Sequence, residues 1–345
     1  VKSEPLAVSA LIISAGRPQW LKRCVQSLVQ QSGPETPLRI EIAINGPDAE
    51  SEQAARWLTQ NFPQQSIRVE RLQARLTPAE ARNRMLPNLA GEWVLFIDDD
   101  AYIEPDYFET FRRTLARFPE AVAIGGPNLT PPGSTVFQEA AGEALCSRLA
   151  TFTSVSRYRP TGDARTGSDT ELILCNLFVR LDLLRELADT EDGVFPPDFK
   201  CAEENWLLQS LAAEGLKIVY EPRLCVRHER RGRPREFATQ VYKYGYGRGQ
   251  NIRRRPETLR AVHLLPSFCL ALTILTLMKW LLLGGFEPAF RVLTAAYVML
   301  CVVAAARVTR DFRRFWIILF LFPLIHASYG AGVLRGFGST GPART

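Results

Sequence analysis

Val8 to Ser14 is a mostly apolar run, and after Gly16-Arg-Pro18 the apolar positions Trp20, Leu21, Cys24, Val25, Leu28 and Val29 recur at helical spacing. A continuous run bounded by turn residues suits a buried strand, and a 3.6-residue period suits a helix with one buried face. The alternation repeats. Leu38 to Ile44 reads as a strand ending at Asn45-Gly-Pro-Asp48, Ala49 to Phe62 as a helix with Ala54, Ala55, Leu58 and Phe62 inward, and Ile67 to Leu72 as a third strand. Thr77-Pro-Ala-Glu80 has the form of a capping box with Pro at the first helical position, opening a helix through Leu86. Glu92 to Ile97 follows as the fourth strand. Ala121 to Gly126 and Leu172 to Val179 read as buried strands, Asn128 to Gly133 as a Pro-rich loop, Asp198 to Glu214 as a helix, and Ile218 to Glu221 as a short strand. Strands alternating with helices predict an α/β fold, a mainly parallel sheet with helices on both faces. Ligands of such sheets sit beyond the carboxyl ends of the strands.

Past residue 260 the pattern changes to long runs that are apolar all round. Ala261 to Met278 carries no acid, Lys or Arg and continues through Lys279 to Leu283; Val292 to Ala306 extends back to Phe290; Phe315 to Leu334 is long enough to cross a bilayer. Core helices are normally amphipathic, so these runs predict two to three membrane helices, one of which could instead lie along the interface. Arg307, Arg310, Arg313 and Arg314 lie between the last two runs, whereas Gly284 to Arg291 holds a single basic residue. By the positive-inside rule the Arg-rich loop and the preceding domain face the cytoplasm, which for three crossings leaves the C-terminus outside. The N-terminal apolar run Ala10 to Ile13 is shorter than a secretory h-region. The expected organisation is a catalytic or binding domain over 1–225, a basic juxtamembrane segment over 226–260 and a membrane region over 261–345.

Composition sharpens that division. The net charge is +6, yet residues 223–260 hold twelve Lys/Arg against three acids, Glu229, Glu236 and Glu257. Basic residues just before a membrane helix attract anionic headgroups on the cytoplasmic face, or are simply solvated there; no nucleic-acid motif accompanies them. Seven scattered cysteines without CxxC spacing fit reduced, buried thiols better than a disulfide framework or zinc site.

The fourth strand runs directly into Asp98, Asp99 and Asp100. Three adjacent carboxylates repel one another and stay ionised cheaply only in water or around a cation. Two readings follow from the residues: a solvated turn with Asp capping a helix begun by Pro105, or a site for a hard divalent ion such as Mg2+ or Mn2+, which suits oxygen ligands and bridges carboxylates to phosphates.

The order of Ile12-Ile-Ser-Ala-Gly-Arg-Pro18, Ala81-Arg-Asn83, Phe96-Ile-Asp-Asp-Asp100, Gly125-Gly126, Cys175-Asn176, Ala202-Glu-Glu-Asn205 and His228 resembles family 2 glycosyltransferases of the GT-A fold. The likeness spans about residues 8–250. Tyr244-Gly-Tyr-Gly-Arg-Gly249 before the apolar runs, and His326-Ala-Ser-Tyr-Gly-Ala-Gly332 in the last one, resemble membrane-bound members that build bacterial exopolysaccharides. The resemblance implies that Asp98-x-Asp100 is the DxD motif holding metal and nucleotide diphosphate, with His228 completing a Mg2+ or Mn2+ site. It places Ser14, Ala15, Asn45, Arg82, Asp98 and Asp99 along the donor. It implies also that the acceptor's proton goes to Glu204, where the family usually has Asp, with Glu203 as the alternative base. Two acids in the first turn of a helix also favour its dipole without any chemistry.

The chain departs from the family in three places. Ala15 and Gly16 stand where an aromatic commonly stacks on uracil, and Ile44-Asn45 where an Asp commonly follows the second strand. Gln240-Val-Tyr-Lys-Tyr-Gly245 replaces the Gln-x-x-Arg-Trp of processive members, which points to single addition. Tyr242, Tyr244 and Tyr246 line an acceptor path or anchor at the interface. The resulting expectation is an inverting, metal-dependent glycosyltransferase on the cytoplasmic face of a bacterial inner membrane, with a UDP-sugar as default donor and a lipid-linked saccharide as acceptor. Its rival is a catalytically silent membrane subunit that binds a nucleotide sugar or a partner enzyme; nucleotidyl transfer to a sugar phosphate is a third reading, which would lack the Glu203-Glu204 pair.

Overall fold

The computed structural model describes residues 5–189, 193–199, 201–283 and 288–339. They fall into two compact units, Val1–Pro131 with Ser156–Glu229, and Pro132–Val155 with Arg230–Thr345.

The first unit is the α/β domain. Its first elements are β1 (Val8–Ser14), α1 (Pro18–Val29), β2 (Leu38–Asn45), α2 (Ala49–Asn61), β3 (Ser66–Leu72), α3 (Pro78–Met85) and β4 (Trp93–Ile97). Then come β5 (Ala101–Ile103), α4 (Tyr107–Arg117), β6 (Ala121–Gly125), β7 (Asn128–Leu129), β8 (Arg165–Thr166), β9 (Asn176–Arg180), α7 (Leu181–Ala188), α8 (Glu203–Ala213), β10 (Lys217–Tyr220) and β11 (Val226–His228). Eight strands form one sheet in the order β3-β2-β1-β4-β9-β6-β10-β8. From β3 to β4 the pairing is parallel, as the alternation predicts. Side chains alternate across this sheet: Val8, Ala10 and Ile12 enter one apolar core and Leu11 the other.

The second half of the sheet departs from expectation. β9 runs antiparallel to both β4 and β6, a direction that hydrophobic periodicity does not encode. The strand expected over Leu172–Val179 pairs only from Asn176, because its first residues turn, with the Asn176 N–H donating to the Ile173 carbonyl at 3.0 Å. The helix expected from Asp198 starts at Glu203, after Ala202 at φ 61°. Pro105 starts no helix; α4 begins at Tyr107 behind Asp106 at φ 64°. Within the supposed loop, Asn128 and Leu129 form β7, part of a second sheet in the order β5-β11-β7. Gly126 permits the approach behind it, since a Cβ there would lie 2.1 Å from the Leu224 carbonyl oxygen.

The second unit is helical: α5 (Val136–Leu145), α6 (Arg148–Thr151), α9 (Pro234–Arg254), α10 (Ala261–Leu283), α11 (Pro288–Val308) and α12 (Phe312–Phe337). The basic segment is therefore largely one helix, α9, and glycines press it against α12. A Cβ at Gly245 would lie 2.2 Å from the Tyr329 carbonyl oxygen and one at Gly249 2.3 Å from that of Val333. In return, a Cβ at Gly332 would lie 2.2 Å from the Tyr242 carbonyl oxygen and one at Gly336 2.0 Å from that of Tyr246. Each helix thus offers two glycines four residues apart, the spacing that lets helix backbones touch. Gly245 and Gly249 of the first tail motif and Gly332 of the second are explained by this crossing, whereas Gly330 lies against the Pro266 carbonyl of α10.

His326 supplies a polar tie in the same unit, contacting the Leu149 carbonyl at 2.7 Å and the Tyr297 hydroxyl at 2.8 Å. Phe290–Val308 and Phe312–Phe337 are long and apolar enough to cross a membrane. Every exposed large apolar side chain among the described residues belongs to this unit, including Phe312, Trp316, Phe320, Val292 and Met299. An apolar exterior of that extent fits lipid rather than water. Residues 284–287, part of the connection expected to be poor in basic residues, and the Cys269 side chain lie outside the described ones. Among the described residues the other six cysteines form no disulfide.

Candidate active site

The acidic triplet stands at the carboxyl end of β4, beside β1. Burial pushes the Asp99 carboxyl up to about 7, with Asp100 adding to the rise and Arg17 opposing it. Ser14, the last residue of β1, donates its hydroxyl to Asp99 Oδ2 at 2.8 Å. Arg17, at the start of α1, pairs with Asp100 and lies 3.2 Å from Asp99 Oδ1; that oxygen has this ionic contact but no hydrogen bond. The small second sheet brings in the histidine. β11 pairs with β5 so that His228 faces Ala101, and its Nε2 reaches Asp100 Oδ1 at 3.0 Å and Asp98 Oδ2 at 3.8 Å. His228 Nδ1 is buried without a hydrogen bond.

The second acidic cluster opens α8. Ala202 before it adopts a left-handed backbone that costs a non-glycine residue on the order of 1 kcal/mol. Glu203 and Glu204 are both buried, and each is met by its own arginine. Arg82, on α3 behind the Thr77/Glu80 capping box, pairs with Glu203 and lies 3.3 Å from Asp98 Oδ1. Burial nevertheless holds the Glu203 carboxyl above its usual range, Arg82 opposing and Glu204 reinforcing the shift. Arg157 contacts Glu204 Oε1 at 3.0 Å. Its remaining N–H groups donate to the Thr170 carbonyl at 3.1 Å, the Asn205 side-chain oxygen at 3.0 Å and the Asp169 carbonyl. Burial works against this cation, yet Glu204, Tyr158 and Asp169 leave its pKa raised.

Of the residues singled out from sequence, Ser14, Arg82, Asp98, Asp99, Asp100, His228 and Glu203 join one continuous set of contacts, and Glu204 adjoins it through the chain. Ala15 lies between Ser14 and Gly16 in the loop after β1. Asn45 turns elsewhere: its side-chain amide both accepts from the Leu76 N–H at 2.9 Å and donates to the Leu76 carbonyl at 3.1 Å, bracing the end of β2. Four residues escaped the sequence reading. Arg17 and Cys175 lay inside quoted motifs without a role, and Arg157 carries no local pattern at all. Asp48 caps α2 and accepts from the Gly16 N–H, which puts a carboxylate beside the β1 loop despite the missing Asp after β2. The Asn45-Gly-Pro-Asp48 turn was its available signal.

Residues 9–186 match the model of glycosyl transferase family 2, about half of the chain. The chain belongs to glycosyl transferase family 2. It is 29% identical over 107 residues to Glycosyltransferase GlyA of Streptococcus pneumoniae, a match covering 31% of this chain and 14% of that relative's length. Its fold is similar to that of the mannosyltransferase PcManGT from Pyrobaculum calidifontis, solved in complex with GDP-Man and Mn2+. That superposition covers 99% of this chain and 89% of the other with a TM-score of 0.66 at 14% identity. The family 2 chain has an α/β GT-A domain and a C-terminal helical region.

Proposed function

We propose that this glycosyltransferase moves a sugar from a nucleotide-diphosphate donor to a saccharide acceptor with inversion, using Glu204 as base and a divalent cation at the triplet. The observation that carries the reading is the position of Arg82, which touches both Asp98 and Glu203 and so places at one locus two acidic clusters about a hundred residues apart in the chain. Asp98, Asp100 and His228 offer carboxylate oxygens and an imidazole within reach of one another. That donor set fits Mg2+ or Mn2+, and the buried Asp99 oxygen that has an ionic contact with Arg17 but no hydrogen bond supports the reading. Bound there, the cation would supply neutralisation of the charge on the leaving diphosphate.

The chain's own residues account for the rest. Arg157 engages Oε1 of Glu204, so Oε2 is the oxygen left for a hydroxyl proton. As the acceptor oxygen bonds to the anomeric carbon, its proton passes to Glu204, and the bond from that carbon to phosphate breaks with its electron pair leaving on the diphosphate. Arg82 orients Glu203 and Asp98 without taking part in proton transfer. The donor base is uracil by default, and Asp48, beside Gly16, is the carboxylate that would meet it. The apolar helices and the basic helix α9 support a membrane-anchored enzyme, facing the cytoplasm, with a lipid-linked acceptor.

A thermal-shift screen of UDP- and GDP-sugars with Mn2+ tests this reading, because a ligand that binds the folded state raises its melting temperature. One donor should shift the wild type, and Asp100→Ala should lose the metal-dependent part. No shift with any nucleotide sugar would sink the proposal.

A further inference from the structure

Cys175 closes the turn before β9. The antiparallel ladder ends at the pair Ile97 and Asn176, which are the chain neighbours of Asp98 and Cys175. The cysteine sulfur, a carboxylate oxygen of Asp98 and a ring nitrogen of His228 all lie within 4.8 Å of one another. Cys175 is 2% exposed and His228 6%, so neither donor pays the competition of bulk water. Asn176 fixes the place: its side-chain amide donates to the carbonyls of Leu224, at 2.7 Å, and Pro127, at 3.2 Å, tying the start of β9 to the loops that carry β7 and β11. A buried cysteine ordinarily packs as a small apolar residue. This one borders the apolar core and also two groups of metal-binding chemistry.

We propose that Cys175 is a donor to the cation held by Asp98 and His228, which makes the centre thiophilic. The inference rests on the proposed metal site and adds its selectivity. Carboxylate and water ligands suit Mg2+ and Mn2+, whereas a thiolate favours Co2+, Zn2+ or Cd2+. Binding forms the metal–sulfur bond and breaks the S–H bond, with the proton released to solvent. Thiophilic ions therefore occupy the centre at lower concentration than Mg2+, by tenfold or more.

The test uses the full chain in detergent with Cys146, Cys201 and Cys225 changed to Ser, since these thiols are partly exposed. Cd2+ and Co2+ are titrated while thiolate-to-metal charge-transfer absorption is followed, and Mn2+ binding is read in parallel by electron paramagnetic resonance, with UDP and with GDP. One equivalent of Cd2+ should produce the band, Cys175→Ser and Cys175→Ala should abolish it, and Asp98→Asn and His228→Ala should weaken it tenfold while keeping the cysteine. The last two variants decide the matter if the cysteine variants fail to fold. A band surviving in Cys175→Ser, or undiminished in Asp98→Asn, overturns the proposal. Mn2+ binding without any Cd2+ band overturns it too and leaves the metal site standing; binding of neither ion removes the metal site itself.

Discussion

The two acidic clusters solve the same electrostatic problem in opposite ways. At the start of α8 each carboxylate has its own arginine, Arg82 for Glu203 and Arg157 for Glu204, and the charges balance within the protein. At the end of β4 three carboxylates share Arg17, one contact from Arg82 and a histidine, leaving a buried Asp99 oxygen without a hydrogen bond. A balanced pair holds a side chain in one orientation; an unbalanced triplet is the arrangement that the proposed cation would complete. Buried charge that is paired one to one speaks for positioning, and buried charge in excess speaks for a ligand.

The comparison breaks most visibly at Glu204. Glu204→Gln keeps the shape and the contact with Arg157 but cannot take a proton, so transfer should fall by roughly 10²–10⁴-fold while donor binding persists. Radiolabelled transfer alongside calorimetric donor binding distinguishes this from a binding defect, and transfer that survives moves the base role to Glu203. A smaller loss is expected on stability from the partner side. Arg157→Met leaves Glu204 buried without its cation, which should cost about 3 kcal/mol. The double variant Arg157→Met with Glu204→Gln should recover part of that loss, and urea unfolding of the four proteins gives the coupling. Strict additivity would show that Arg157 does not hold Glu204.

How much of this was legible in the sequence follows from the range of each signal. The parallel half of the sheet was readable because strand, loop and helix follow one another locally, and the Thr77/Glu80 box is a local motif. The antiparallel direction of β9 was not legible, because a strand's direction is set by where the chain returns. β5 and β11 were missed as strands of three residues each, too short to show a period. Of the site, Asp98 to Asp100 stood out as a charge run after an apolar strand, and the family resemblance supplied Glu203, Glu204 and His228. Arg157 left no trace, since its role depends on carbonyls at 169 and 170 and on α8, brought together only by folding.

A buried carboxylate outside both clusters sharpens the rule that pairing decides the cost of buried charge. Glu41, on β2, is 5% exposed; Arg68 stands 4.0 Å away, and Glu41 Oε2 is buried with no hydrogen bond. Burial raises its pKa, Arg68 and Arg39 oppose the shift, and Glu70 adds to it. A carboxyl whose folded pKa lies above its unfolded value binds its proton more tightly when folded. Its contribution to stability is present in full below the unfolded pKa, about 4.3, and is lost as pH rises through the folded one. Glu41→Gln stays neutral throughout and should not suffer that loss. Melting temperatures followed by tryptophan fluorescence should therefore coincide near pH 4 and diverge towards neutrality, with the variant higher by about 2 °C. Parallel curves would mean that Arg68 already balances Glu41 across its 4.0 Å separation, and the distinction between paired and excess charge would then need a longer reach than direct contact.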